Sequence, residues 1–408
     1  MSISDFAGAS EELAASFNLF NLTQEFLDDP FPTYAALRTH RPVHHLSDGS
    51  VFLSRYKDVV QVYKDRTMSS DKKAEFGPKF GDGGLFRHHT TSLVFNDPPL
   101  HTRVRKLLAQ AFTPRAMALM EPGIIELVDG LLDKAADRGE MDLIGDFAFA
   151  LPVGVITEML GIPAADRDEL RDYALIILGA LEPTVSADHV KRGNEAVERF
   201  CDYLRELVAD RRKNLREDDI LSTLIAGEID GERLLEEELL QNCIFLLNAG
   251  HETTTNLIGN GMGALLRFPD QLADLIADPG LIDTAMEEFL RIESSNQLGN
   301  RRTTVEVEIG GVKVPAETNV HLCIGAANHD PEEFDNPGVL NIRRRPNRHL
   351  AFGSGNHICL GNSLARMEGR IVISRLLERF PNIARNGDFV RGGRARFRGF
   401  ASYPVSLR

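Results

Sequence analysis

The chain has no tryptophan, only six tyrosines and four cysteines, and basic residues that are outnumbered by acidic ones. The cysteines, Cys201, Cys243, Cys323 and Cys359, never approach a CxxC spacing, which argues against a structural zinc or iron–sulfur site. Met1 to Ser16 carries Asp5, Glu11 and Glu12 but no Lys or Arg, so it does not read as an export signal, and a disulfide framework is not expected. The longest apolar runs, Phe147–Ile156 and Ala174–Leu181, fall far short of the ~20 residues a membrane span needs. Against 60 Asp and Glu stand 46 Lys and Arg, a formal charge of −14. Such a chain has no overall attraction to nucleic acid or anionic lipid, and neither is expected as a partner.

What is present is enough apolar sequence for a large core: 43% of 408 residues. No repeat, low-complexity linker or composition break divides it, so a single domain over 1–408 is expected, mainly α with small β-sheets. Val43–Leu46 and Ser50–Ser54, around Ser47-Asp48-Gly49, read as a hairpin. Residues 71–95, with Gly77, Gly81, Gly83 and Gly84, read as a loop. Helical periodicity runs from His101 to about Gly263, including helices over Asp166–Leu181 and His189–Lys213 with a connector near Pro183. Arg233–Arg267 is the longest predicted helix. Strands follow at Val305–Ile309, Val312–Val314 and Asn319–Ile324, then a helix at Leu360–Phe380. Cys201, Cys243 and Cys323 read as buried apolar residues.

Cys359 has different surroundings. It sits in Ala351-Phe352-Gly353-Ser354-Gly355-Asn356-His357-Ile358-Cys359-Leu360-Gly361, just before a helix. Glycines allow left-handed backbone that would aim N–H groups at the sulfur, and a helix N-terminus lowers a thiol pKa. Both effects predict a thiolate suited to holding a metal, and a Cys thiolate is one of the axial ligands of haem iron. Phe352-x-x-Gly355-x-His357-x-Cys359-x-Gly361 resembles the haem-binding signature of the cytochrome P-450 family, with every defining position filled.

The long helix contains a second match. Asn248–Asn256 places weak helix formers and polar side chains between apolar turns, a local conflict typical of functional sites. Its Ala249-Gly250-His251-Glu252-Thr253-Thr254 resembles the family's oxygen-binding segment. The resemblance implies that Gly250 and Thr253 loosen the helical ladder, and that Thr253 and Glu252 relay protons to bound dioxygen. Glu288-Phe289-Leu290-Arg291 resembles the family's ExxR pair, with Arg343 as its third partner. His101 and Arg105, one turn apart on a helix, Arg301 before the strand Val305–Ile309, and His357 match the family's haem-propionate contacts. Phe352, Gly353 and Gly361 complete the cofactor-binding set around Cys359.

The resemblance covers nearly the whole chain, from Pro30-Phe31-Pro32 to the terminal strands. It departs at Ser295, where the family often has Pro, and at Leu340, where a Phe is expected. It implies the triangular cytochrome P-450 fold, with haem b (iron protoporphyrin IX) between the long helix and the cysteine-loop helix. The implied activity is that of a cytoplasmic, monomeric monooxygenase, which hydroxylates or oxidatively dealkylates a small organic substrate with O2. Electrons would come from a separate ferredoxin and its NAD(P)H-dependent reductase, for which Arg343, Arg344, Arg345 and Arg348 would form a docking patch. Phe245, Asn248, Asn296 and Gln297 would line the substrate pocket, the last three implying hydrogen-bonding groups on the substrate. A peroxide-using oxidase and a haem-based sensor are the rival readings; neither needs the acid–alcohol pair Glu252 and Thr253.

Overall fold

The computed structural model describes residues 3–216, 219–227 and 231–408. Met1 and Ser2 of the N-terminal stretch, and residues 217–218 and 228–230 of the expected helical region, lie outside them. The architecture is helical around one central element, the 32-residue helix Glu236–Arg267. This helix is buried on nearly every side, from Leu239, Leu240, Cys243, Ile244 and Leu247 through His251 and Thr255 to Ile258, Met262 and Leu265. Such all-round burial is the mark of a core helix rather than a surface one. It starts at Glu236 and not at Arg233, because Glu238 turns back to accept a hydrogen bond from the Leu235 N–H at 2.8 Å. Glu236, Glu237 and Glu238 also favour its positive end.

The helices Ala150–Met159, Ile282–Ile292 and Asn362–Arg379 pack around this axis, and Arg167–Gly179 and Ala187–Lys213 cross it. One apolar cluster joins all of them, with Phe147, Phe200, Phe289 and Ile373 at its centre. The stretch Asn248–Asn256 continues the helix, as the single predicted helix over Arg233–Arg267 requires. Gly250 is there because the helix Ala150–Met159 comes close: a Cβ on it would stand 2.7 Å from Ile156. Tertiary packing outweighs the ~1 kcal/mol that glycine costs in a helix.

A five-stranded sheet flanks the bundle. Its strands are β1 (Val43–His45), β2 (Val51–Leu53), β3 (Met68–Ser69), β4 (Leu298–Thr303) and β5 (Asn319–Cys323), in the order β1-β2-β5-β4-β3. The hairpin β1–β2 is antiparallel with Val43 opposite Leu53, and β2 runs parallel to β5. Two smaller cores lie against this sheet, where Cys323 is fully buried. Arg301 therefore lies inside a strand, β4, and not ahead of one; the sequence reading missed this strand because its centre is Gly-Asn-Arg-Arg. Val307–Ile309 and Val312–Val314 form a separate hairpin.

Residues 71–95 are not a loop. They form the helices Lys73–Phe80, burying Phe76 and Phe80, and Gly84–Thr91, burying Leu85, His88 and His89. Gly81 and Gly83 stand at the ends of these helices, so the glycines mark boundaries rather than an unstructured run. Among the described residues, no helix is long and apolar enough to cross a membrane.

Candidate functional site

The cysteine loop takes its shape from its glycines. Gly353 and Gly355 have φ of 67° and 70°, left-handed values that suit glycine, and a Cβ on Gly355 would collide with the Tyr63 carbonyl. The turn brings the Cys359 N–H to the Phe352 carbonyl at 2.9 Å. The following helix starts at Asn362, whose side-chain amide donates to the Cys359 carbonyl at 2.7 Å. Burial pushes the Cys359 thiol up, while the Gly361 N–H, Arg105 and Arg366 pull it down. Burial is the larger of these effects and holds the thiol above its ordinary value; a cation bound at the sulfur would favour the thiolate that the sequence reading expects.

A cavity of about 520 Å³ lies over Cys359. Its floor is Phe352, Gly353, Cys359, Leu360, Gly361 and Leu364, and its roof is Ala249, Gly250, Thr253, Thr254 and Leu257 of the long helix. At its edge stand His101 and Arg105 from the helix Leu100–Leu108, Arg301 from β4, and His357. The His101 and His357 rings stack at 3.8 Å. Arg301 reaches the Asn300 carbonyl at 2.7 Å and lies over the Tyr63 ring. Burial, then Arg301, His101 and Arg105, drive the His357 pKa to about 2; burial, then Arg105 and Arg301, drive that of His101 to about 4. Neither ring nitrogen of His101 has a partner, and no carboxylate pairs with Arg105 or Arg301 among the described residues. Buried cations and donors without an anion are costly. They fit a ligand that brings two carboxylates of its own, as haem does with its propionates.

Behind the floor sits the ExxR pair. Glu288 and Arg291 are fully buried and joined by two 2.8 Å bonds. Arg291 also donates to the carbonyls of Asn328 and Pro337, and Glu288 accepts from the Asn341 N–H and the Asn347 amide. The third partner is Arg344, at 3.0 Å from Glu288, not Arg343. A turn in which the Arg344 N–H bonds the Asn341 carbonyl points Arg344 inward, whereas Arg343 extends to Asp274 at 3.6 Å and stays half exposed. Arg344→Ala is therefore expected to cost about 2 kcal/mol by stripping a donor from a buried carboxylate, and Arg343→Ala under about 0.5. Denaturant midpoints of the two variants check this ordering. Leu340, at the expected Phe position, is buried in the main core.

Neighbouring Glu287 faces the cysteine loop instead. It pairs with Arg366 at 2.6 Å and His349 at 3.0 Å, and Arg366 stacks on the Phe352 ring at 4.6 Å. Burial raises the Glu287 pKa, but these two partners outweigh it and bring it to about 2.

Above the cavity the sequence reading holds in part. Phe245, Asn248 and Asn296 line it, and so does Ser295, whose hydroxyl has no partner among the described residues. Gln297 does not line it, because its side chain is drawn to Tyr34 and the Ser294 carbonyl. Gln297 instead accepts from the Tyr34 hydroxyl at 3.3 Å and donates to the Ser294 carbonyl at 2.6 Å. Thr253 lines the roof, and its hydroxyl donates to the Ala249 carbonyl at 2.6 Å. Glu252 lies off the cavity wall, held by Arg394 through contacts of 2.5 and 2.6 Å; Arg394 also bonds Glu182 of the connector before Ala187–Lys213 at 3.2 Å. Burial raises the Glu252 pKa, against the pull of Arg394.

Sequence reading missed one acid altogether. Glu368 is buried at the cavity wall facing Thr254, and burial pushes its pKa from the ordinary 4.5 up to about 8. The signal was present: it stands four residues after Leu364 and four before Val372, on the buried stripe of its helix. An acid raised in the fold keeps a proton that the unfolded chain has lost, so folding takes up a proton between those two pH values and stability falls as pH rises through them. Glu368→Gln is expected to match the parent near pH 4.5 and to exceed it above about pH 8 by about 5 kcal/mol, as measured by thermal unfolding across that range.

A cysteine under a cavity, buried His101 and the half-buried Arg105, Arg301 and His357 at its edge, and an acid–alcohol helix above are now in place. Sequence comparison decides the family: the cytochrome P450 family model matches residues 173–278 and 273–387. The chain belongs to the cytochrome P450 family. This P450 is 41% identical to the vitamin D(3) 25-hydroxylase of Pseudonocardia autotrophica over 88% of each chain. It is 39% identical to the monooxygenase PikC of Streptomyces venezuelae, over 95% of this chain and 93% of that one. Among solved structures it is similar to P450BioI bound to an acyl carrier protein carrying hexadec-9Z-enoic acid, with a TM-score of 0.90, 36% identity, and 94% and 100% of the two chains covered. The P450 is thus a haem-thiolate monooxygenase that binds haem b and inserts one atom of O2 into an organic substrate with electrons from redox partners.

Proposed function

We propose that Cys359 is the iron ligand, and that His101, Arg105, Arg301 and His357 hold the haem propionates. The observation that carries this reading is that these four groups meet at the cavity edge above Cys359, with no protein carboxylate paired to Arg105 or Arg301 among the described residues. When bound, haem supplies the reductive activation of dioxygen. The protein's own part is to shut out water, place the substrate and deliver protons. The Thr253 hydroxyl donates a hydrogen bond to the Ala249 carbonyl, which leaves its lone pairs to accept from a proton-bearing group in the cavity. Glu252 reaches that group only when its carboxylate turns away from Arg394. Glu368 is a second proton source at the cavity wall, carrying its proton at neutral pH.

Electrons come from a ferredoxin and its NAD(P)H-dependent reductase in the cytoplasm, and the chain acts as a monomeric single domain over 1–408. Exposed Arg343, Arg345 and Arg348 support a docking patch for an acidic ferredoxin; Arg344 is committed to Glu288 and drops out of it. The apolar wall of Phe76, Leu178, Leu181, Phe245 and Phe397, broken by a few polar groups, supports a largely apolar substrate that is hydroxylated or oxidatively dealkylated. The names of the relatives, a vitamin D(3) hydroxylase among them, agree with that class.

Thr253→Ala is the test. With a surrogate ferredoxin and reductase, NADH consumption should continue while product per NADH falls about tenfold or more and hydrogen peroxide appears. Unchanged coupling would remove Thr253 from the proton path.

A further inference from the structure

Asn248 lines the cavity one residue before Ala249, and its Oδ1 is a buried acceptor with no partner among the described residues. An unused buried acceptor costs about 1–3 kcal/mol unless a ligand satisfies it. Which end of the amide is left unused is settled by a chain of hydrogen bonds beginning at the protein surface. Exposed Glu237 is a carboxylate and can only accept, so the atom of Gln241 that meets it at 2.8 Å is the amide nitrogen. The same nitrogen lies 3.3 Å from the Cys201 sulfur. The Gln241 oxygen is then turned to His88 and accepts from Nδ1–H at 2.9 Å. His88 is buried and neutral, its pKa carried down to about 4 chiefly by burial. With its proton on Nδ1, its Nε2 is an acceptor, and it meets the Asn248 amide nitrogen at 3.4 Å.

Turning the Asn248 amide over would set oxygen against the Nε2 lone pair. Relieving that by moving the His88 proton would require Gln241 to turn as well, placing its oxygen against Glu237. Each alternative ends in a clash of two acceptors.

We propose that Asn248 is a specificity-determining residue, locked through His88 and Gln241 as a fixed hydrogen-bond acceptor, and that the substrate is one that donates a hydroxyl or N–H to it beside the position oxidised. This rests on the reading of the cavity as the distal pocket of a haem enzyme. His88 and Gln241 are positioning residues; they act through Asn248 and set its polarity.

The holoenzyme tests this without knowledge of the natural substrate. Phenylimidazoles bind through their imidazole nitrogen to haem iron and shift the Soret band, so affinity is read directly. The probes are the hydroxyphenyl-imidazoles, with the hydroxyl at each ring position in turn, against their fluoro counterparts, which are of similar size but cannot donate. At one ring position the hydroxyl compound is expected to bind the parent enzyme about tenfold tighter than the fluoro compound. Asn248→Leu should abolish that ratio. His88→Phe, which frees the amide to turn, should lower the ratio while leaving the fluoro compound's affinity unchanged; a merely structural effect of His88 would weaken both compounds alike. Hydroxyl-to-fluoro ratios that are the same in the parent and Asn248→Leu at every ring position would overturn the proposal while leaving the haem site intact. If no probe shifted the Soret band, the reading of the cavity would fall, and the role of Asn248 with it.

Discussion

Cys359→Ser is expected to abolish monooxygenase turnover, by about a thousandfold or more, which corresponds to roughly 4 kcal/mol or more of barrier. Among the described residues that line the cavity, Cys359 carries the one thiol, and as the proposed ligand its thiolate would donate electrons that favour O–O cleavage. A serine hydroxyl fits the same turn, since the Cys359 backbone bond to Phe352 and the bond from Asn362 to its carbonyl do not involve the side chain. The variant should therefore fold and bind haem. Its reduced carbon monoxide complex should lose the long-wavelength Soret band of a thiolate-ligated haem. A variant that kept that band would show that another residue ligates the iron.

Arg291→Ala is expected to have the largest effect on stability. Glu288 is a carboxylate with no exposure, and Arg291 supplies two of its hydrogen bonds. Taking away the cation leaves a fully buried carboxylate with only Arg344, Asn347 and the Asn341 N–H, and three orphaned carbonyl contacts, at Asn328, Pro337 and Val339. Breaking a buried pair in this way costs about 3–5 kcal/mol, a large part of the 5–15 kcal/mol by which a typical fold is stable. The lost stability would appear as a lower denaturant midpoint and as failure to retain haem on purification. Arg291→Lys should recover only part of it, because an ammonium cannot make the paired bonds to both carboxylate oxygens. Loss of less than about 1 kcal/mol in Arg291→Ala would mean that Arg344 and Asn347 alone hold Glu288.

How far the sequence could be read depended on distance along the chain. The cysteine loop was legible because its glycines, histidine and cysteine fall within eleven consecutive residues and impose their own turn. The long helix was legible in extent, since tens of residues share one periodicity. The reason for Gly250 within it was not legible, because it lies at Ile156 on another helix. The same holds for Glu252: the acid is apparent in sequence, but the Arg394 that holds it follows 142 residues later. Arg343 and Arg344 are indistinguishable by type and adjacent in sequence, and only the turn at Asn341 sends one inward. Gln297 turns away from the cavity for a similar reason, since the Tyr34 that holds its side chain lies 263 residues earlier. Glu368 was visible as an acid on an apolar stripe.

Glu287 and Glu288 are consecutive on one helix, so their side chains leave it about 100° apart. One grips Arg366 and His349 beside the cysteine loop; the other pairs with Arg291 one turn on in the same helix and grips Arg344 and Asn347 of the stretch that leads to that loop. This short helix thus acts as a common anchor that sets the angle between two otherwise separate pieces of chain. Losing a single residue upstream within it would rotate both acids together by that same angle and carry them away from Arg366, His349, Arg344 and Asn347, while Arg291 would turn with Glu288.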